Sequence, residues 1–272
     1  MDYKEYAISA MLAKFAYSNQ DTLGDLWFKM RNSKRYNMSN VFKDVREVPE
    51  FYFKDEIQAF SIVKEFSLIF VFRGAEDIID IGSKRVPYFQ SEDSNLNISP
   101  GNILVHAEFL RQFLSIKDAM VKTIEKYSGK IEKILCIGHS FGGALATLAS
   151  GYFGSMYNGK TPVTCHTFGS PRVGNVAYAE WYSRQVTRHV RIINEKDQGC
   201  QVPFGPGFQH CSEALCVKED LTVRTVEDTK WYWRLLHFKG CCNLLLGDTC
   251  DQYIEAMVKM YKNRTLELRI EV

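Results

Sequence analysis

The chain opens with Tyr6, Ala7, Ala10, Met11, Ala13 and Phe15, with Tyr17 beyond, apolar positions that recur three and four apart. That spacing predicts a helix with one apolar face. Residues 50–66 alternate in short stretches, as half-buried strands do. Ser67–Phe72 reads Ser-Leu-Ile-Phe-Val-Phe, a continuous apolar run suited to a central parallel strand. Residues 74–100 are mixed and polar, broken by Gly82, Pro87 and Pro100, and read as a long excursion from the core. Apolar positions from Leu104 through Phe109, Phe113, Ile116 and Met120 to Ile124 predict a helix over 104–127. A strand at 131–137 leads through a turn into a helix at 142–157; a strand at 161–168, a helix at 174–185 and a strand at 189–194 follow. Strands alternating with helices predict a mostly parallel α/β sheet with helices on both faces. No repeat, low-complexity tract or Pro/Gly-rich linker interrupts 1–272, so one domain is expected.

Composition narrows the function. Hydrophobic residues at 46% with 24% charged exclude a disordered chain, and a net charge of +2 without a basic stripe argues against nucleic acid. The stretch from Ile134 to Gly159 has no formal charge and is long enough to cross a bilayer. Its glycines, with His139, Ser140 and Asn158, fit a soluble strand–turn–helix instead, and no transmembrane segment is expected. The opening Met-Asp-Tyr-Lys-Glu-Tyr carries charge where an export signal needs an apolar core. A cytoplasmic location with reduced thiols is the corresponding expectation. The eight cysteines show no zinc spacing, though their crowding after residue 199 leaves disulfides open if the chain is exported by another route.

The sharpest motif follows the strand Ile134-Leu135-Cys136-Ile137: Gly138-His139-Ser140-Phe141-Gly142-Gly143-Ala144-Leu145-Ala146. A tight strand-to-helix turn thrusts the serine hydroxyl out of the sheet, and glycine two places either side lets the backbone close. The helix N-terminus behind it favours developing negative charge. The five-residue pattern alone is weak; the apolar strand before it and the small-residue helix after it give it weight.

That motif, followed by Phe168-Gly169-Ser170-Pro171-Arg172-Val173-Gly174-Asn175, resembles the class 3 (fungal-type) lipases, α/β-hydrolases acting on acylglycerols. Val71-Phe72-Arg73-Gly74 looks like that family's oxyanion strand. Val105-His106 with Phe109 looks like its next helix start, with Glu108 in place of the usual glycine. Residues 191–197 with Val202-Pro203 look like its acid-bearing strand, and Gly207-Phe208-Gln209-His210 is similar to the motif after it. The resemblance implies the α/β-hydrolase fold, Ser140 as nucleophile, Asp197 as the acid, and the backbone amides of Phe141 and Ala75 as the oxyanion hole. Family members usually carry a hydroxyl where Ala75 stands. It further implies an ester or lipid substrate met at a lipid–water interface, with no cofactor and no metal, and a lid over residues 76–99. Ile78, Ile79 and Ile81 within that stretch fit either a cover over the site or an anchor for a surface loop.

The third triad member is out of place. The family's His-x-x-Tyr motif stands about 40 residues beyond Gly-Phe-x-His, and here that spacing lands on Cys250-Asp251-Gln252-Tyr253. A thiol with a pKa near 8.5 is a poor acceptor for a serine proton. The chain order leaves three outcomes: no triad base, His237, which follows Trp231, Trp233, Leu235 and Leu236, or His210, whose expected role is support of the acid loop; histidines 106, 139, 166 and 189 are expected to be structural. Two functions follow: a serine hydrolase working through an acyl-enzyme, or a non-catalytic descendant that binds a lipid or protein partner.

Overall fold

The computed structural model describes residues 2–17, 45, 47–54, 57–75, 85–87, 102–157, 159–195, 197, 199–203, 207–226 and 246–270. The elements run in the order α1 (Tyr3–Phe15), β1 (Glu50–Lys54), β2 (Ile57–Lys64), β3 (Ser67–Phe72), β4 (Arg85–Pro87) and β5 (Leu104–His106). They continue with α2 (Ala107–Lys126), β6 (Lys133–His139), α3 (Phe141–Tyr157), β7 (Val163–Phe168), α4 (Val176–Gln185) and β8 (Arg188–Asn194). After a 3₁₀ turn (Gly199–Gln201) come β9 (Ala214–Val217), β10 (Val223–Val226) and α5 (Leu246–Ile270).

Eight strands form one sheet in the order β1-β2-β3-β6-β7-β8-β9-β10. The central run from β3 to β9 is parallel, and antiparallel strands close both edges. The expected mostly parallel sheet is therefore present, and side-chain alternation explains its two cores. Leu68, Phe70, Phe72, Ile134 and Cys136 face one side, where α2, α3 and α4 pack. Ile69, Val71, Leu135 and Ile137 face the other, under α1 and α5. All six residues of β3 are buried, which is why its sequence shows no polar alternation. Each large apolar side chain enclosed there contributes about 2 kcal/mol.

α3 is apolar all round because it is enclosed, and its small residues let it approach the sheet. A Cβ on Gly142 would lie 2.3 Å from the Phe72 carbonyl oxygen, so the first turn of α3 rests directly on the end of β3. Only glycine permits that approach.

Three expectations need correction. Leu104–His106 is a strand paired with Arg85–Pro87, and the helix starts only at Ala107. The helix expected at 174–185 begins at Val176, capped by the Asn175 side chain accepting from the Tyr178 amide; Gly174 instead bridges Val105 and Gln209. β9, β10 and α5 were not foreseen. Among the described residues no helix is long and apolar enough to cross a membrane.

Candidate functional site

Ser140 stands at the junction of β6 and α3 with φ 52°, a left-handed conformation that costs a non-glycine residue about 1 kcal/mol or more. The turn is held from both sides: the Ser140 amide donates to the Phe168 carbonyl at 2.9 Å, and the Gly143 amide donates to the Ser140 carbonyl at 2.9 Å. A Cβ on Gly138 would lie 2.1 Å from the Gly142 carbonyl oxygen, so the elbow closes over that glycine. The Ser140 side chain is half-buried, and among the described residues nothing hydrogen-bonds its hydroxyl.

Phe141 begins α3, and Arg73-Gly74-Ala75 leaves β3 beside it. The contact of Gly142 with Phe72 and Arg73 brings these two backbone segments together at one edge of the site. Tyr17, just past α1, braces the same edge. Its hydroxyl is 2.8 Å from His139 Nδ1 and occupies the space beside Gly74, where a Cβ would come within 1.9 Å of it. The Arg73 guanidinium lies 5.6 Å over the Tyr17 ring and donates to Gln58 Oε1 at 2.6 Å. Burial pushes the Tyr17 phenol well above its ordinary range and the His139 imidazole down to about 3. His139 is thus a neutral strut behind Ser140, too weak a base to take up a proton at neutral pH.

Asp197 follows β8. Its Oδ1 accepts from the Gly199 amide at 2.8 Å and its Oδ2 accepts from the Tyr253 hydroxyl at 2.7 Å. Burial raises its pKa, and the bonds from Tyr253, Gly199 and Cys200 hold part of that rise back. Gly169, at φ 57°, makes room: a Cβ there would come within 2.4 Å of Oδ2. Tyr253 is buried on α5, and its hydroxyl also accepts from the Asn194 amide at 2.8 Å. Its ring lies 5.9 Å from that of His139 and 6.0 Å from that of Phe168. One phenol therefore joins the acid, the end of β8 and the strand beneath the serine. The sequence marked Tyr253 only as the surviving half of a motif; its spacing from Cys250 was the signal available.

Cys250 lies one helical turn before Tyr253, and is 2% exposed. Burial pushes its thiol up to about 12, and it lies close enough to Tyr17 for its charge to bear on the phenol. The Lys14–Asp251 ion pair, at 2.9 Å, flanks it. Among the described residues no imidazole contacts Asp197. His210 Nε2 bonds the Cys200 carbonyl at 2.9 Å, behind the acid loop. His166 pairs with Ser9 at 2.8 Å and His189 with Thr167 at 3.0 Å. His106 is buried against the Phe109 ring. His237 and, apart from Arg85–Pro87, the expected lid at 76–99 lie outside the described residues.

A parallel sheet flanked on both faces, with a serine at a left-handed strand–helix turn, defines an α/β-hydrolase fold. The chain belongs to the class 3 lipase family: the sequence model of that family, Lipase (class 3), matches residues 69–207. It is similar to phospholipase A(1) DAD1, chloroplastic, of Arabidopsis thaliana, at 30% identity over 153 residues, covering 52% of this chain and 34% of that one. It is also similar to secreted mono- and diacylglycerol lipase 1 of Fusarium solani, at 30% identity over 111 residues, 40% of this chain and 32% of that one. The chain thus spans about a third of the length of these relatives. The fold of Rhizomucor miehei triacylglyceride lipase matches at TM-score 0.67 and 19% identity, covering 90% of this chain and 91% of that one. A fungal lipase solved as an inhibitor complex matches at TM-score 0.69 and 20% identity, covering 92% and 96%.

Proposed function

We propose that this chain is a serine carboxylic-ester hydrolase acting on acylglycerol-type lipids. The observation that carries this reading is Ser140, held at φ 52° between β6 and α3 with its hydroxyl unengaged among the described residues. In the proposed mechanism Ser140 Oγ attacks the ester carbonyl while a base takes its proton. The tetrahedral oxyanion is received by the amides of Phe141 and Ala75. Collapse expels the alcohol and leaves an acyl-enzyme, which water then hydrolyses. Ala75 supplies an amide alone, so any stabilisation from a side-chain hydroxyl is lost there. Asp197 would orient the base, with Tyr253 and Gly199 holding the carboxylate still. His237 is the base in this reading. Cys250 is not, because a thiol at about 12 stays protonated and takes no proton from serine. The substrate would be met at a lipid–water interface, in a reducing cytoplasmic setting that suits the free, mostly buried cysteines among the described residues.

A second reading rests on Cys250 itself. A site without an imidazole beside Asp197 binds a lipid or a protein partner and turns nothing over. A fluorophosphonate probe, with hydrolysis of a short-chain chromogenic ester, separates the two. The wild type should label and turn over, and Ser140→Ala should do neither while keeping its fold. An unlabelled, folded wild type leaves the binding reading alone.

A further inference from the structure

We propose that Arg172 is a positioning residue for the acid, a clamp on the carbonyls of the loop that carries Asp197. This rests on the hydrolase reading of Ser140 and Asp197. Arg172 leaves the end of β7 and is 3% exposed, an enclosure that a guanidinium tolerates only when its donors are used. Its Nη1 donates to the Gln201 carbonyl and, at 3.4 Å, to the Pro203 carbonyl. Its backbone amide donates to the Val202 carbonyl at 2.8 Å. With His210 on the Cys200 carbonyl, successive carbonyls from 200 to 203 are all held.

The held segment connects directly to the acid. The Gly199 amide bonds Asp197 Oδ1, and the Cys200 thiol donates to the Asp197 carbonyl at 3.0 Å. The β7 loop that bears Arg172 also touches Asp197 and the first turn of the helix that follows Ser140. Its Gly169 abuts Asp197 Oδ2, and its Ser170 abuts Gly143, three residues past Ser140. Arg172 therefore fixes the acid loop to the same backbone segment against which the nucleophile's helix is seated. Both contacts come from Nη1, whose two N–H bonds are held in the plane of the guanidinium, whereas the freely rotating N–H bonds of a lysine ammonium have no such fixed directions.

Cys200 reports the state of this loop without any need for turnover. It is 2% exposed, while Cys136 and Cys165 are fully buried in the main core and report global unfolding. Iodoacetamide modification of each cysteine, read by peptide mass spectrometry, is measured for wild type, Arg172→Met and Arg172→Lys, alongside ester kinetics. Expected are a rise of about tenfold or more in Cys200 modification for Arg172→Met, a smaller rise for Arg172→Lys, and protection kept at Cys136 and Cys165. In the active enzyme, kcat falls up to about a hundredfold with KM unchanged, as a small misplacement of the acid predicts. If Arg172→Met exposes Cys136 and Cys165 as well, it has unfolded, and Arg172→Lys decides. Unchanged Cys200 protection in a folded variant, or an effect on KM alone, overturns the clamp. If the wild type neither turns over nor reacts with the fluorophosphonate, yet Arg172→Met still exposes Cys200, the hydrolase reading falls and the clamp stands.

Discussion

Acidification should destabilise this protein well above the pH at which its carboxylates protonate, through three enclosed histidines. Burial holds His139, His166 and His189 each down to about 3, against an ordinary 6.5. Each ring is enclosed away from solvent, which penalises the charged form. His139 meets the Tyr17 hydroxyl, His166 meets Ser9, and His189 meets Thr167 while its Nδ1 is buried with no partner. Because the folded pKa values are lowered, the contribution is intact above about pH 6.5 and is lost as pH falls from there towards 3. Over that range the unfolded chain takes up protons the folded chain refuses, at about 1.4 kcal/mol per pH unit for each ring. At pH 5 each histidine has cost about 2 kcal/mol and the three together about 6, a large part of the roughly 5–15 kcal/mol that folds of this kind possess. Asp197, whose pKa is raised, acts in the opposite sense but is a single group. Glu50 and Glu108, whose values are lowered, lose their contribution only from the ordinary carboxylate range downward. Urea unfolding followed by circular dichroism at pH 7.5, 6.5, 5.5 and 5 should show stability falling by about 4 kcal/mol per unit below pH 6. His166→Asn should lower that slope by one proton. Stability that is flat between pH 7.5 and 5 would refute the reasoning.

Three further outcomes follow from the site. Tyr253→Phe removes the donor to Asp197 Oδ2 and should cost about 1–3 kcal/mol in thermal or urea unfolding, with lower kcat in the active enzyme. Unchanged stability would mean the phenol is not what satisfies the carboxylate. Gly142→Ala places a Cβ 2.3 Å from the Phe72 carbonyl and should unseat α3 from β3, abolishing probe labelling of Ser140; normal labelling would show that the elbow adjusts. Cys250→His puts an imidazole one turn before Tyr253 and should raise esterase activity about a hundredfold or more if no other base serves. No gain, with activity lost in His237→Ala, assigns the base to His237.

How far the sequence discloses this structure depends on how local each feature is. β3 was legible to the residue because five consecutive apolar side chains follow Ser67 and Arg73-Gly74 ends the run. The serine turn was legible because its glycines lie within two residues of Ser140. Leu104–His106 was read as helix because its apolar positions continue the spacing of α2, and only the long-range partner Arg85–Pro87 makes it a strand. α5 carried a helical stripe, Cys250, Tyr253, Ile254, Met257 and Met260, that charged neighbours obscured. The bracing around the site was hidden for another reason. Tyr253 meets Asp197 across 56 residues and Tyr17 meets His139 across 122, distances at which spacing carries no information.

The packing of α1 against α5 sets an order on biosynthesis. Lys14 and Asp251 are 237 residues apart, and Tyr6, Ala10 and Leu12 share their core with Ile254 and Met257. At about 5–20 residues per second, α1 leaves the ribosome roughly 10–50 s before the helix that covers it exists. Until then α1 has only sheet residues such as Ile69, Val71, Leu135 and Ile137 to pack against, and Asp197 has no phenol to hold it. The acid is seated only when the chain has been made past Tyr253. A nascent chain stalled short of that point would display the serine turn and the parallel strands, yet would still lack the bond that holds the Asp197 carboxyl.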